Sequence, residues 1–182
     1  MNGSRTVRVL KRDGTAEDFD RRKLAGTMWR SMKGTCAELR DATELSHAVE
    51  LYLLRRRCPC VSSAAVLEMT VKVLRRVGLG PAADALEFHH SWRGIRRKLI
   101  RVGHDGGRVT AWDKGWLSKF VCRSWDVLPA TGRIVASMLE NDLLGDKQTR
   151  FTREELIRRM NECVAALGLA DTVPVRQYAL EQ

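Results

Sequence analysis

Three cations near the start of the sequence have the residue types and spacing to bind phosphate groups. Lys11 and Arg12 open a Lys-Arg-Asp-Gly turn, and Lys23 follows at the start of a segment with helical periodicity. Turn amides and a helix N-terminus supply directed N–H donors, while lysine and arginine supply charge. The pattern therefore predicts a site for an anion such as a triphosphate. A basic hairpin whose cations pair with neighbouring carboxylates explains the same spacing equally well.

These cations lie on a predicted hairpin that leads directly into a helix. Apolar and polar residues alternate around Val9, which is typical of a strand with one buried face. Asp-Gly at 13–14 predicts the turn, and residues 16–19 the return strand. Asp20 is the predicted N-cap of a helix over residues 21–32. This arrangement would bring the three cations close together.

Three further helices are predicted downstream of the hairpin. Apolar periodicity predicts helices over residues 42–57 and 82–93. Between them, Ser62 or Ser63 is the predicted N-cap of a helix that ends at Gly78. The first module is therefore expected to be α+β and mostly helical.

This first module, residues 1–99, resembles the ATP-cone, the ATP- and dATP-sensing module of ribonucleotide reductases and of the repressor of their genes. The features that carry the resemblance form one ordered set: the turn at 11–14, Glu17, Phe19-Asp20 and Lys23-Leu24. The resemblance implies a four-helix bundle capped by a small β-sheet. It also implies a protein that catalyses no reaction, because cones bind ATP or dATP and shift an oligomeric equilibrium.

The resemblance further implies which residues hold the nucleotide. Val9 and Leu10 would border the adenine, and Glu17 would orient the base or the sugar. The phosphates would be held by three cations and a hydroxyl group: Lys11, Arg12, Lys23 and Ser63. No metal is expected beyond a Mg²⁺ that accompanies the nucleotide. Leu67 stands where reductase cones often have a polar residue, so the choice between ATP and dATP and the number of nucleotides stay open.

A degenerate second copy of the module is predicted over residues 100–182. Residues 100–113 align with 7–20, and residues 151–169 align with 61–79, although two helical segments can also share apolar spacing by chance. In the copy, Lys11, Arg12, Glu17 and Lys23 are replaced by His104, Asp105, Thr110 and Trp116. Each lost charged contact is worth about 1.5–3 kcal/mol. The copy is therefore expected to keep the fold and to lose the ligand.

Other features of the copy point to structure or to a partner. Trp112, Trp116 and Trp125 are predicted to be core residues, with a partner-binding surface as the alternative. Thr152 and Glu155 predict a capping box. The last helix of the copy is expected to be short or missing, which would leave an apolar groove for a partner or a second copy.

The distribution of charge separates the two modules. The net charge is +10, and residues 1–108 hold 22 Lys/Arg and 12 Asp/Glu, whereas residues 109–182 hold 10 of each. The whole excess therefore lies in the first part, which favours an anionic partner there. A basic stretch over residues 93–101 could contact a nucleic-acid backbone, or it could be a solvated linker.

The sequence thus favours a stand-alone regulator that binds ATP or dATP and acts through oligomerisation or a protein partner, in connection with ribonucleotide reduction. The alternative is a nucleotide-responsive, nucleic-acid-binding transcriptional regulator without a zinc ribbon. No P-loop motif is present, and the four histidines show no metal-ligand spacing. Five irregularly spaced cysteines fit a reducing cytosol, and neither a signal peptide nor a membrane span is predicted. A cytoplasmic location is expected.

Overall fold

The computed structural model describes residues 6–11, 14–56 and 59–169. Within these ranges the chain forms seven α-helices and two three-stranded sheets, so it is α+β and mostly helical as predicted. Among the same residues, no helix combines the length and apolar character needed to cross a membrane. The chain divides into two compact units, Met1–Ser91 (the first unit) and Trp92–Gln182 (the second unit).

The first unit contains a small sheet and the first helices. Its elements are β1 (Arg8–Leu10), β2 (Ala16–Asp18), α1 (Arg21–Met32), α2 (Leu39–Arg55), β3 (Cys60–Ser62), α3 (Ser63–Arg76) and the first part of α4 (Gly80–Leu99). The strand order is β2-β1-β3. β1 runs antiparallel to β2, with Val9 opposite Glu17, and parallel to β3, with Val9 opposite Val61. The predicted hairpin therefore supplies two of the three strands of a mixed sheet.

Side-chain caps fix where the helices of the first unit begin. An Asp20 Oδ1 accepts a hydrogen bond from the Lys23 backbone N–H at 3.0 Å, so α1 has the predicted bounds. Ser62, the first of the two predicted serines, caps α3 in the same way. α2 begins at Leu39, three residues earlier than predicted, because Glu38 and Asp41 form a capping box ahead of it.

The buried faces of the first unit's helices follow the predicted apolar periodicity. Met28 and Met32 on α1, Val49 on α2 and Leu74 on α3 are buried together. On α4, Leu86 joins the same cluster. The apolar faces of four helices thus meet in one core beside the sheet.

The second unit repeats this order of elements. They are β4 (Arg101–Gly103), β5 (Val109–Ala111), α5 (Lys114–Trp125), α6 (Pro129–Gly145), β6 (Arg150–Thr152) and α7 (Arg153–Ala166), with a 3₁₀ turn at Asp105–Gly107. The strand order is β5-β4-β6, and Val102 lies opposite Thr110 and Phe151. Its topology and register match those of the first unit, as the predicted repeat requires. The expected short or missing last helix lies outside the described residues.

The boundary between the units falls inside α4 and not at the predicted position between residues 99 and 100. α4 extends six residues beyond its predicted end at 93. Its last two turns carry Arg93, Arg96 and Arg97, whose side chains bond to groups of the second unit. These bonds explain why the end of α4 belongs with the second unit.

Two structural predictions for the second unit need correction. Trp125 is a core residue, but Trp112 is only partly buried and Trp116 is half exposed, so the three tryptophans do not share one role. The Thr152 hydroxyl accepts from the Glu155 N–H at 3.1 Å, as a capping box requires. The Glu155 carboxylate, however, accepts hydrogen bonds from the side chains of Gln148 and Arg159.

Candidate functional site

A cavity of about 260 Å³ opens in the first unit. It is bordered by the β1–β2 hairpin, α1, α3 and the first part of α4. Apolar side chains line its wall: Val9, Phe19, Leu24, Val66, Leu67 and Leu86. A concave, mostly apolar wall with a few polar groups is typical of a small-molecule site. The faces of a planar base suit such a wall.

Two lysines in the lining of the cavity lie around one carboxylate. The Lys11 Nζ lies 3.3 Å from Glu17 Oε2, and the Lys23 Nζ lies 4.0 Å from the same atom. All three residues line the cavity. Since both lysine side chains are partly or largely exposed, each ion pair is worth only about 0–1 kcal/mol. A ligand with several negative charges can therefore compete with Glu17 for both ammonium groups.

Two helices begin at the cavity. α1 begins just after Asp20, and α3 begins at Ser63, and both of these residues are in the lining. The first N–H groups of a helix have no intrahelical partner, and the N-terminus carries a partial positive charge. Two helix N-termini and two lysines thus border the same cavity, and these are the groups that favour phosphate binding.

Acidic residues balance these cations. Among the residues that the structure describes, Glu17, Asp18 and Asp20 line the cavity together with Lys11 and Lys23, which makes three carboxylates and two lysines. The Asp20 carboxylate is already used as the cap of α1. Carboxylate oxygens are the ligands that Mg²⁺ prefers, so this lining fits a nucleotide that carries Mg²⁺ better than a bare polyphosphate.

The structure brings five of the seven predicted nucleotide-binding residues together. They are Val9, Lys11, Glu17, Lys23 and Ser63, and all of them line the cavity. Leu10 is exposed and its side chain is not in the lining, because successive residues of a strand point to opposite faces. Arg12 lies outside the described residues. The nucleotide-binding role of all seven remains a prediction.

Several lining residues were missed by the sequence reasoning. Thr27 on α1, Thr70 on α3 and His90 on α4 belong to the lining. Thr70 is buried, and its hydroxyl donates to the Val66 carbonyl at 2.7 Å. Helical spacing could have identified Thr70, which lies seven residues, or two turns, after Ser63 on the same face. His90 had no such signal, because it comes from an element far away in the sequence.

The second unit has different chemistry at the positions that align with the cavity. His104 and Thr110 stand where the first unit has Lys11 and Glu17, and the His104 Nε2 and Thr110 Oγ1 are 2.8 Å apart. Trp116, which aligns with Lys23, stacks on Phe120 with 5.4 Å between the ring centroids. A histidine–threonine hydrogen bond and an aromatic pair thus replace the two ion pairs.

The main charge cluster of the second unit surrounds a buried carboxylate. Glu140 on α6 is 1 % exposed. It accepts two hydrogen bonds from Arg97, at 2.7 and 2.6 Å, and one from Arg93 at 2.9 Å. The Lys114 Nζ and the Trp112 Nε1 approach it at 3.3 and 3.4 Å. The cations of this cluster are therefore committed to an internal partner.

The protonation of Glu140 follows from these contacts. Burial raises the pKa of the Glu140 carboxyl, but the Arg97 hydrogen bonds and the Lys114 charge outweigh it and lower the pKa to about 2. Burial also lowers the pKa of Lys114, against the opposing effect of Glu140. Glu140 is thus a permanently charged centre of the second unit.

The basic stretch over residues 93–101 is largely committed to the same internal contacts. Arg96 donates to the backbone carbonyl of Asp146, and Arg101 donates to the carbonyls of Lys98 and Ile100. With Arg93 and Arg97 on Glu140, four guanidinium groups have protein partners. The stretch is neither a simple solvated linker nor an uncommitted phosphate-binding surface.

No model of a known protein family matches this chain, and no curated protein matches its sequence. The function therefore has to be argued from the cavity of the first unit and from its contrast with the second unit.

Proposed function

We propose that the first unit binds a nucleoside triphosphate, ATP or dATP, in its cavity, and that the bound nucleotide regulates the assembly of this chain or its contact with a protein partner. One observation carries the proposal: the same cavity is lined by apolar side chains, by two lysines and by the first residues of two helices. That combination suits a planar base at one end and phosphate groups at the other.

In the proposed complex the base lies against Val9, Phe19 and Leu67. The phosphates lie near Lys11, Lys23 and the start of α3 at Ser63. Without the nucleotide, Glu17 pairs with both lysines. In the complex the phosphates replace part of this contact, and the Glu17 carboxylate turns toward the sugar or base. Carboxylates of the lining would hold the accompanying Mg²⁺.

Regulation in this proposal requires only that the nucleotide binds two assembly states with different affinities. A nucleotide that binds one assembly state more tightly shifts the equilibrium toward that state by the ratio of the two affinities. No catalytic group is needed, and the proposed role is that of a sensor, with ribonucleotide reduction as the process that the ATP-cone resemblance suggests. A nucleotide-responsive regulator that binds nucleic acid remains the alternative, although Arg93, Arg96, Arg97 and Arg101 all have internal partners.

Isothermal titration of the chain with ATP, dATP and ADP, in the presence of Mg²⁺, tests the proposal, with the mass followed by light scattering. We expect micromolar binding of one triphosphate per chain and a change in mass. Absence of binding to all three nucleotides would overturn the proposal. Salt-dependent binding of DNA without any nucleotide binding would favour the alternative.

A pair of neighbouring variants locates the site. Lys23→Glu should weaken binding by about 10- to 100-fold, as expected for the loss of a charged contact worth about 1.5–3 kcal/mol. Arg22→Glu is the matched control, because Arg22 is exposed on the same turn of α1 but is not in the lining. Equal losses in both variants would mean that only the overall charge matters.

A further inference from the structure

An apolar stripe is exposed along one face of α4. Phe88 is 72 % exposed and Ile95 is 61 % exposed, and Trp92 and Leu99 are also exposed. These four residues, the α4 stripe, are separated by four, three and four positions. At about 100° per residue they lie within roughly 60° of one another on the helix surface.

In the first half of α4, the face opposite Phe88 is buried, because Ala82, Ala83 and Leu86 belong to the core of the first unit. This half of α4 is therefore apolar on two faces, and the face that carries Phe88 is uncovered. A helix with apolar residues on both sides is normally enclosed on both sides.

The spacing of the α4 stripe favours a helix as its partner. Alternating steps of three and four residues define the a and d positions of a heptad repeat, which interlock with the same positions of a second helix. Ala85, three residues before Phe88, extends the pattern by one step and is exposed as well. A flat or strand-like partner would not require this periodicity.

The charges beside the α4 stripe favour a second copy of this chain in the antiparallel direction. Asp84, Ser91 and Lys98 follow one another at intervals of seven residues along one flank. In an antiparallel pair this flank of one helix meets the same flank of the other in reverse order. Asp84 of each copy therefore faces Lys98 of the other copy. Asp84 also pairs with Arg75 at 3.0 Å, but its side chain remains largely exposed. In a parallel pair this flank would meet the other flank, which carries His89 and Arg96.

We propose that α4 pairs with α4 of a second copy in antiparallel orientation through the α4 stripe. The α4 stripe would be the surface for the assembly step of the proposed function, and the inference rests on the proposed function only for that role. The pairing itself requires no nucleotide. Sedimentation of the full chain, with and without Mg-ATP, tests it.

Ile95→Glu should weaken the dimer by about 30-fold or more, because a carboxylate would be buried in the apolar seam. Ile134→Glu is the matched control, since Ile134 lies on α6, outside the α4 stripe, and is 52 % exposed. It should leave the dimer unchanged. Circular dichroism verifies that both variants keep their helix content, and ATP titration of Ile95→Glu reports on the cavity independently.

A wild-type chain that is monomeric at all concentrations with and without ATP would overturn the pairing, even if ATP binds. A dimer that Ile95→Glu leaves intact would overturn it too. A dimer lost in Ile95→Glu but not in Ile134→Glu would support it, whether or not ATP binds, so the two proposals fail separately.

The orientation has its own test. A zero-length carbodiimide cross-linker joins lysine to carboxylate groups, and an antiparallel dimer should give a Lys98–Asp84 product between copies. Within one helix these residues are about 21 Å apart at 1.5 Å per residue, too far for the reagent. Mass spectrometry of mixed ¹⁴N and ¹⁵N chains identifies the product as intermolecular. Its absence from the cross-linked dimer would overturn the antiparallel orientation.

Discussion

The two units have the same strand order and the same strand register, but they place their charges differently. In the first unit, Lys11, Glu17 and Lys23 stand at a cavity and pair weakly. In the second unit, the aligned positions are a histidine, a threonine and a tryptophan, and several charges collect around the buried Glu140. The first arrangement leaves cations available to a ligand, and the second uses them for stability.

A pair of aligned acids shows the difference most clearly. Glu50 on α2 and Glu140 on α6 are 90 residues apart, the same offset that relates residues 61–79 to 151–169. Each of them pairs with a cation at the start of the preceding helix. The Arg21–Glu50 pair is partly exposed, at 3.5 Å. The Lys114–Glu140 pair, at 3.3 Å, is joined by two arginines from α4. The same topology thus carries a marginal surface pair in one unit and a buried network in the other.

The largest expected effect is the loss of that buried carboxylate. Glu140→Gln should destabilise the second unit by about 3–5 kcal/mol, because it leaves cations partly buried without their counter-ion. Glu50→Gln should cost about 0–1 kcal/mol in the first unit. Hydrogen exchange of core amides in each unit measures both values. Similar losses in the two units would show that Glu140 is no more important than an exposed acid.

Acid should weaken the second unit through the same residue. The Glu140 pKa is about 2 in the folded chain against an ordinary value of 4.5, so its contribution is complete above pH 4.5 and is lost as the pH falls toward 2. The contribution amounts to about 3 kcal/mol at 1.36 kcal/mol per unit. Urea unfolding of the wild type and of Glu140→Gln at several pH values isolates the contribution of Glu140. The comparison cancels the contribution of Asp146, whose pKa is also lowered by its hydrogen bond from Arg159. A stability difference between the two proteins that does not change with pH would contradict the assignment.

The cavity predicts an asymmetric effect on nucleotide binding. Lys11→Ala should weaken ATP binding by about 10- to 100-fold, because a charged contact is removed. His104→Ala, the aligned change in the second unit, should leave ATP binding unchanged, since His104 bonds to Thr110. Titration of both variants measures the difference. A loss in His104→Ala equal to that in Lys11→Ala would place the nucleotide elsewhere.

The smallest effect concerns the aromatic pair that replaces the charges. Trp116→Ala removes the stacking on Phe120 and should destabilise the second unit by about 0.5–1.5 kcal/mol. Lys23→Ala, at the aligned position of the first unit, should change stability by about 0.5 kcal/mol at most. Urea midpoints of the two variants give the comparison. A larger loss in Lys23→Ala would mean that Lys23 supports the fold.

Local signals predicted much of the fold and of the site. Asp20 and Ser62 marked the starts of α1 and α3 because capping depends on residues close in sequence. The lysines of the cavity could be found for the same reason, since a hairpin and the next helix bring neighbours together. Leu10 was included because the resemblance points to the strand as a whole, whereas strand alternation separates it from Val9.

Contacts between residues far apart in the sequence could not be predicted from such local signals. His90 reaches the cavity from α4, and the partners of Glu140 come from α4, from α5 and from Trp112, which follows β5. One signal was available: Glu140 lies four residues after Ala136 and four before Leu144, both buried, so helical periodicity placed an acid on an apolar face. Such a residue needs buried cationic partners, although the sequence does not identify them.

The central claim is that the first unit, and not the second, holds the nucleotide. Hydrogen exchange of the full chain with and without Mg-ATP tests it most directly. We predict slower exchange in peptides that cover β1, the start of α1 and the start of α3, and unchanged exchange in peptides that cover β4 and the start of α5. Protection in the second unit alone, or in neither unit, would contradict the claim.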